Sequence, residues 1–173
     1  MSHAIRLVLA AGLALGLAAC QKAEEAKPAE QPAAAPAPVL TTPTDGNPEA
    51  WKAFLAQELR PHVDRRYRRP FVYFIPDVVA DAPDAAEQQR QYDSQLENIQ
   101  NTIGRGVQAG SMLAFGGPNS TKVGDVIVES FALAGPKSLK GVRVVVIAKP
   151  EERARIEAAV LPTEPDFIWV DIK

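Results

Sequence analysis

Seven residues, Val142 to Ala148 (VRVVVIA), constrain the fold of this chain more than any other stretch. Five of the seven are β-branched, which suits an extended strand far better than a helix. A strand so uniformly apolar belongs in a sheet covered on both faces, and such coverage is the habit of parallel sheets with helical crossovers. Three shorter runs repeat the signal: Phe71 to Ile75 (FVYFI), Met112 to Phe115, and Phe167 to Ile172 (FIWVDI).

The segments between these runs have helical periodicity. Asn47-Pro48 is an N-cap followed by proline at the first helical position, and Trp51, Phe54, Leu55 and Leu59 follow at helical spacing up to Pro61. From Asp84 to Val107, the apolar residues Tyr92, Leu96, Ile99, Ile103 and Val107 form one stripe on an otherwise polar helix. Gly104, Gly106 and Gly110 mark its exit. A helix capped by Asn119 or Ser120 is expected to run to about Leu133, with Val123, Val126, Ile127 and Phe131 inward, until Gly135-Pro136 breaks it. A short helix after Pro150 turns Ile156, Ala159 and Val160 inward. The alternation predicts an α/β fold, a small four-stranded, mostly parallel sheet covered by helices. The alternative is an α+β arrangement with one antiparallel edge strand, and strand order stays open. All the large aromatic residues, Phe71 included, are expected on core faces or strands.

The first forty-seven residues read differently. A polar start with one cation, Arg6, precedes thirteen apolar residues from Leu7 to Ala19, too few for a bilayer that needs about 20 helical residues. The tetrapeptide Leu17-Ala18-Ala19-Cys20 closes the run. It resembles the lipobox of bacterial lipoproteins. That resemblance covers residues 1–20 and implies cleavage before Cys20, a diacylglycerol on its thiol, and a membrane anchor outside the cytoplasm. Each buried methylene contributes about 0.8 kcal/mol, so two or three acyl chains hold firmly. Gln21 is not the Asp that resembles an inner-membrane retention signal, so in a Gram-negative cell the outer membrane, periplasmic leaflet, is the expected site. An uncleaved anchor helix, or a plain signal with a chance Cys, is the alternative. Residues 21–47 are dominated by Pro, Ala and Glu and are expected to form a disordered tether of about 80 Å at full extension. The expected organisation is therefore a signal peptide over 1–19, lipidated Cys20 and tether over 20–47, and the α/β domain over 48–173.

Charge and cysteine usage narrow the function. The 173 residues carry a net −2, and the segment from Pro48 onward is nearly neutral, so the strong basic balance of a typical nucleic-acid binder is missing. Cys20 is the only cysteine and there are two histidines, which rules out an intramolecular disulfide and argues against a Cys/His zinc site. No cofactor is implied.

Two places could carry function. In an open parallel sheet, ligands favour the loops after the strands, here Pro76 to Pro83, Gly116 to Thr121 and Lys149 to Glu151. Gly117, Asn119, Ser120, Thr121 and Lys122, with Lys149, are the candidate anion or ligand-binding residues, since a glycine turn at a helix start exposes backbone N–H groups. The P-loop spacing is absent, and a tight turn with an N-cap is the plain expectation. GxSxG does not occur, His62 is far in sequence from Ser111, Ser120 and Ser130, and Asp77, Asp81, Asp125 and Asp171 form no recognisable acid–base or metal pattern. The second place is the segment holding Arg60, Arg65, Arg66, Arg68 and Arg69 around Tyr67. Arginine forks suit phosphate and carboxylate, so lipid headgroups, teichoic or lipopolysaccharide phosphates, or an acidic protein are the expected partners. The plain expectation is a solvated turn whose arginines pair with acidic helices nearby. The favoured function is a non-catalytic envelope lipoprotein that binds a protein partner or an anionic envelope component. The alternatives are a small periplasmic enzyme or small-molecule binder using the 116–122 loop, and an accessory subunit of an envelope machine.

Overall fold

The computed structural model describes Thr41 to Ile172; the lipobox, Cys20 and most of the expected tether lie outside the described residues. Within them the order is α1 (Pro48–Leu59), β1 (Arg69–Phe74), α2 (Ala85–Gly104), β2 (Ser111–Gly116), α3 (Ser120–Phe131), β3 (Arg143–Ala148), α4 (Arg153–Val160) and β4 (Asp166–Asp171). The four strands form one sheet in the order β1-β2-β3-β4, and every neighbouring pair is parallel. The α/β expectation holds, and no antiparallel edge strand is present among the described residues.

Each crossover steps to the adjacent strand in the same sense, so right-handed connections keep their helices on one face. Two cores separate accordingly. On one face, Tyr92, Ile99 and Ile103 of α2, Val123, Val126, Ile127 and Phe131 of α3, and Ile156 and Val160 of α4 pack on Leu113, Phe115, Val144 and Val146. On the other, Trp51, Phe54, Leu55 and Leu59 of α1 pack on Met112, Ala114, Val145 and Ile147. The period-2 alternation of the strands sends neighbouring side chains to opposite cores. Phe115 stacks on Tyr73 at 5.3 Å and meets the edge of Phe131 at 6.0 Å, joining β1, β2 and α3.

Several boundaries shift. The long helix ends at Gly104 rather than Val107, with Gly106 and Gly110 at positive φ in the exit loop. α3 stops at Phe131, leaving Leu133 exposed beyond it. β1 starts two residues earlier than predicted, and Phe71, which lies on this edge strand, is exposed and not in the core. At the other end, residues expected to belong to the tether meet α1: the Asp45 carbonyl accepts from Trp51 Nε1 at 2.7 Å.

Ser130 is fully buried on α3, and its hydroxyl has no hydrogen-bond partner among the described residues. An unmatched buried hydroxyl costs about 1–3 kcal/mol, and alanine is the better helix former. Ser130→Ala is predicted to raise stability by about 1 kcal/mol in chemical denaturation at unchanged m-value.

Candidate functional site

All four strands run the same way, so the domain has two chemically distinct ends. The strand carboxyl ends carry the loops first expected to bind ligands. Asp77, Asn119, Ser120, Thr121, Lys149, Glu151 and Glu152 line a crevice of about 460 Å³ there. Its polar atoms are engaged with one another. Asn119 Oδ1 accepts from the backbone N–H of Thr121 and Lys122 at 3.1 and 3.2 Å, which occupies donors an anion would need. Its Nδ2 donates to Asp77 Oδ1 at 2.9 Å. Ser120 Oγ accepts from the Lys149 N–H at 3.0 Å, and Thr121 Oγ1 donates to Glu152 Oε1 at 2.8 Å. Arg155 then links Glu152, Asp125 and the Thr121 carbonyl. Gly117 is required by a close approach, since a Cβ there would sit 2.2 Å from the Ile75 carbonyl oxygen. Lys122 turns away, its Nζ 5.0 Å from the centre of the Tyr92 ring.

The candidate residues thus meet where the sequence placed them, yet what they do is fasten three strand-end loops together. Lys149 is the only cation lining the crevice, against Asp77, Glu151 and Glu152. The tight, capped turn is the outcome. Ser111 and Ser130 are buried, no hydrogen bond joins the His62 side chain to a serine, and no group of three metal-type ligands occurs among the described residues.

The opposite end, at the strand amino termini, is basic. The loop after α1 carries Arg60, Arg65, Arg66, Arg68 and Arg69; the loop after α2 adds Arg105, and that after α3 adds Lys137 and Lys140. Backbone contacts join these loops: Gly110 N–H donates to the Gly141 carbonyl at 2.8 Å, and Lys137 N–H to that of Pro162 at 3.0 Å. Sequence reasoning found the first group and missed the others. A signal existed, because a parallel sheet of this kind places the residues after every crossover helix at one end.

The arginine loop is built on Tyr67, which is buried to 1% exposure in the α1-side core. Asp64 Oδ1 accepts from the backbone N–H of Arg66 and Tyr67 at 2.7 and 3.0 Å, closing an Asx turn. Arg68 Nε donates to the Arg65 carbonyl at 2.8 Å, and Arg69 to Gln108 Oε1 at 2.8 Å. Beneath the loop lies Arg143 at the start of β3. Its guanidinium sits 4.1 Å from the centre of the Tyr67 ring and donates to Asp166 Oδ2 (2.6 and 2.9 Å), the His62 carbonyl (2.6 Å) and Asp64 Oδ2 (3.0 Å). Burial opposes its charge, but Asp166 and Asp64 more than offset this and raise its pKa. The backbone N–H groups of Arg66 and Tyr67, ahead of Arg143, hold the Asp64 carboxyl below the usual aspartate range.

This corrects the expected pairing of the arginines. Arg143 engages Asp64 and Asp166, and Lys137 engages Glu164 at 3.0 Å. No carboxylate among the described residues pairs with Arg60, Arg65, Arg66, Arg68 or Arg69. Comparison with protein-family models, curated proteins and solved structures finds no match for this chain.

Arg143→Met is predicted to cost roughly 2 kcal/mol by thermal or chemical denaturation, less than a fully buried pair, because both carboxylates are nearly half exposed. The depressed Asp64 pKa means its stabilising share is complete above the usual aspartate range and is lost as pH falls through the lowered value. NMR titration of the Asp64 carboxyl should place its midpoint below that of an aspartate in an unfolded peptide.

Proposed function

We propose that this chain is a membrane-tethered protein of the cell envelope that works by binding, not catalysis, and that its basic end is the binding surface for an anionic envelope component. The proposal is carried by one observation: no carboxylate among the described residues pairs with the exposed arginines. Asp64, Asp166 and Glu164 at that end are engaged by Arg143 and Lys137. Arg68 and Arg69 each direct one donor to a neutral acceptor, the Arg65 carbonyl and Gln108 respectively, and Arg66 lies over the Tyr67 ring. The remaining guanidinium donors of Arg65, Arg66, Arg68 and Arg69 meet no carboxylate among the described residues and suit phosphate or carboxylate. Tyr67 and the Asx turn fix the backbone that displays them, so less ordering entropy is lost on binding than from a loose loop. The tether and anchor are supported by the apolar run and Leu17-Ala18-Ala19-Cys20. No helix among the described residues is long and apolar enough to cross a membrane.

Two measurements on the full chain test this. Intact mass should show an N-terminus at Cys20 carrying acyl chains; an uncut, unmodified chain would remove the anchor. On immobilised polyphosphate, replacing Arg65, Arg66, Arg68 and Arg69 together with Gln should weaken retention by at least about tenfold at low salt. Retention equal to that of the natural chain would remove the binding surface.

A further inference from the structure

The basic end has a second property that charge alone does not explain. Six large hydrophobic side chains are exposed among the described residues, and three of them, Val63, Leu133 and Leu161, lie in the loops of this end at 42%, 57% and 49% exposure. Val63 belongs to the arginine segment, while Leu133 and Leu161 follow α3 and α4. The loops that carry these two leucines are joined by the contacts of Lys137 with Pro162 and of Leu139 with Thr163. Val79 is the one member of the six in the loops at the acidic end. Aliphatic side chains interspersed with arginines make a poor surface for a soluble glycan or ion. They match the bilayer interface, where phosphates sit a few ångströms above the first acyl carbons.

Resting on the reading of the basic end as a docking surface, we propose that its occupant is the phospholipid bilayer. Arg65, Arg66, Arg68 and Arg69 bind headgroup phosphates, and Val63, Leu133 and Leu161 enter the interface. Shape agrees with charge. The cavities described among these residues open at the acidic end or beside α1 and the β1 edge, and the only arginine lining them is Arg90 of α2, away from the arginine loop. Electrostatic and apolar contributions add here as in peripheral proteins that combine a lipid chain with a polybasic patch. The leash read from the sequence, shorter than its full 27 residues because Asp45 meets Trp51 on α1 but still on the order of 60 Å at full extension, allows either end of the domain to meet the bilayer. Attraction to anionic headgroups then selects the basic end, and the acidic end turns to solvent.

The test is depth-dependent quenching by brominated phospholipid of a reporter tryptophan in the full chain reconstituted into vesicles. Val63→Trp and Leu161→Trp should be quenched in vesicles containing phosphatidylglycerol, and 0.5 M salt should reverse it. Val79→Trp should show only the background of Trp51 and Trp169. In the Leu161→Trp background, changing the four arginines to Gln should lower the docked-to-free ratio on the order of a thousandfold at low salt. Equal quenching at both ends, no quenching at either, or equal quenching in pure phosphatidylcholine would overturn the proposal. Protection of Leu161→Trp by soluble polyphosphate but not by vesicles would keep the anionic surface and transfer it to a soluble polyanion, against the membrane. Because the readout does not depend on acylation, a missing acyl group on Cys20 would refute the tether while leaving the docking result to stand or fall separately.

Discussion

The Arg143 guanidinium is the interaction on which the basic end of this domain depends. It enters at the first residue of β3, lies against the Tyr67 ring, and donates to His62, Asp64 and Asp166. One partly buried cation therefore joins the loop after α1 to the start of β3 and the start of β4. It also decides the electrostatics of its surroundings. Asp64 and Asp166 would otherwise be the nearest acids for the arginines above them. With both engaged below, the exposed guanidinium groups meet no carboxylate among the described residues; their contacts within the domain are neutral, with the Arg65 carbonyl, Gln108 and the Tyr67 ring.

The charge separation between the two ends has a local cause. Helices α2, α3 and α4 all run from the strand carboxyl ends back to the amino ends, and α1 ends beside the start of β1. Their positive ends thus gather at one end of the domain and their negative ends at the other. Acidic residues such as Glu49, Glu87 and Glu151 near helix starts, and Arg60 and Arg105 just beyond helix ends, complement those dipoles. The dipole accounts for such residues at about 0.3–1 kcal/mol each. It does not account for Arg65, Arg66, Arg68 and Arg69, which follow the helical segment and lead into or begin β1. Those four exceed what local stability asks for, and they are the residues assigned to binding.

Much of the fold could be read from the sequence because local rules and the final packing agree. Val142 to Ala148 is buried on both faces as its composition requires, and Asn47 and Asn119 cap the helices they precede. The errors fall where distant residues decide. Phe71 looks like core but lies on an edge strand, and nothing in its neighbours reveals which strand is an edge. Gly117 reads from the sequence as a turn glycine at a candidate anion site, with a tight capped turn as the plain expectation; the reason glycine is needed there is the Ile75 carbonyl, forty-two residues away in the chain. The arginine segment was visible, yet its lack of acidic partners depends on Arg143, 79 residues beyond Asp64. The Leu17–Cys20 motif remains a matter of sequence, and the anchor stays a proposal.

The central claim is that four arginines at the strand amino ends face outward without acidic partners and take up phosphate. Side-chain Nε–H NMR resonances of the arginines, followed while anionic bicelles are added, test it most directly. Progressive, salt-reversible shifts of Arg65, Arg66, Arg68 and Arg69 are expected, with Arg155 at the acidic end unmoved. Shifts at Arg155 and none at the four, or no response at either end, would contradict it.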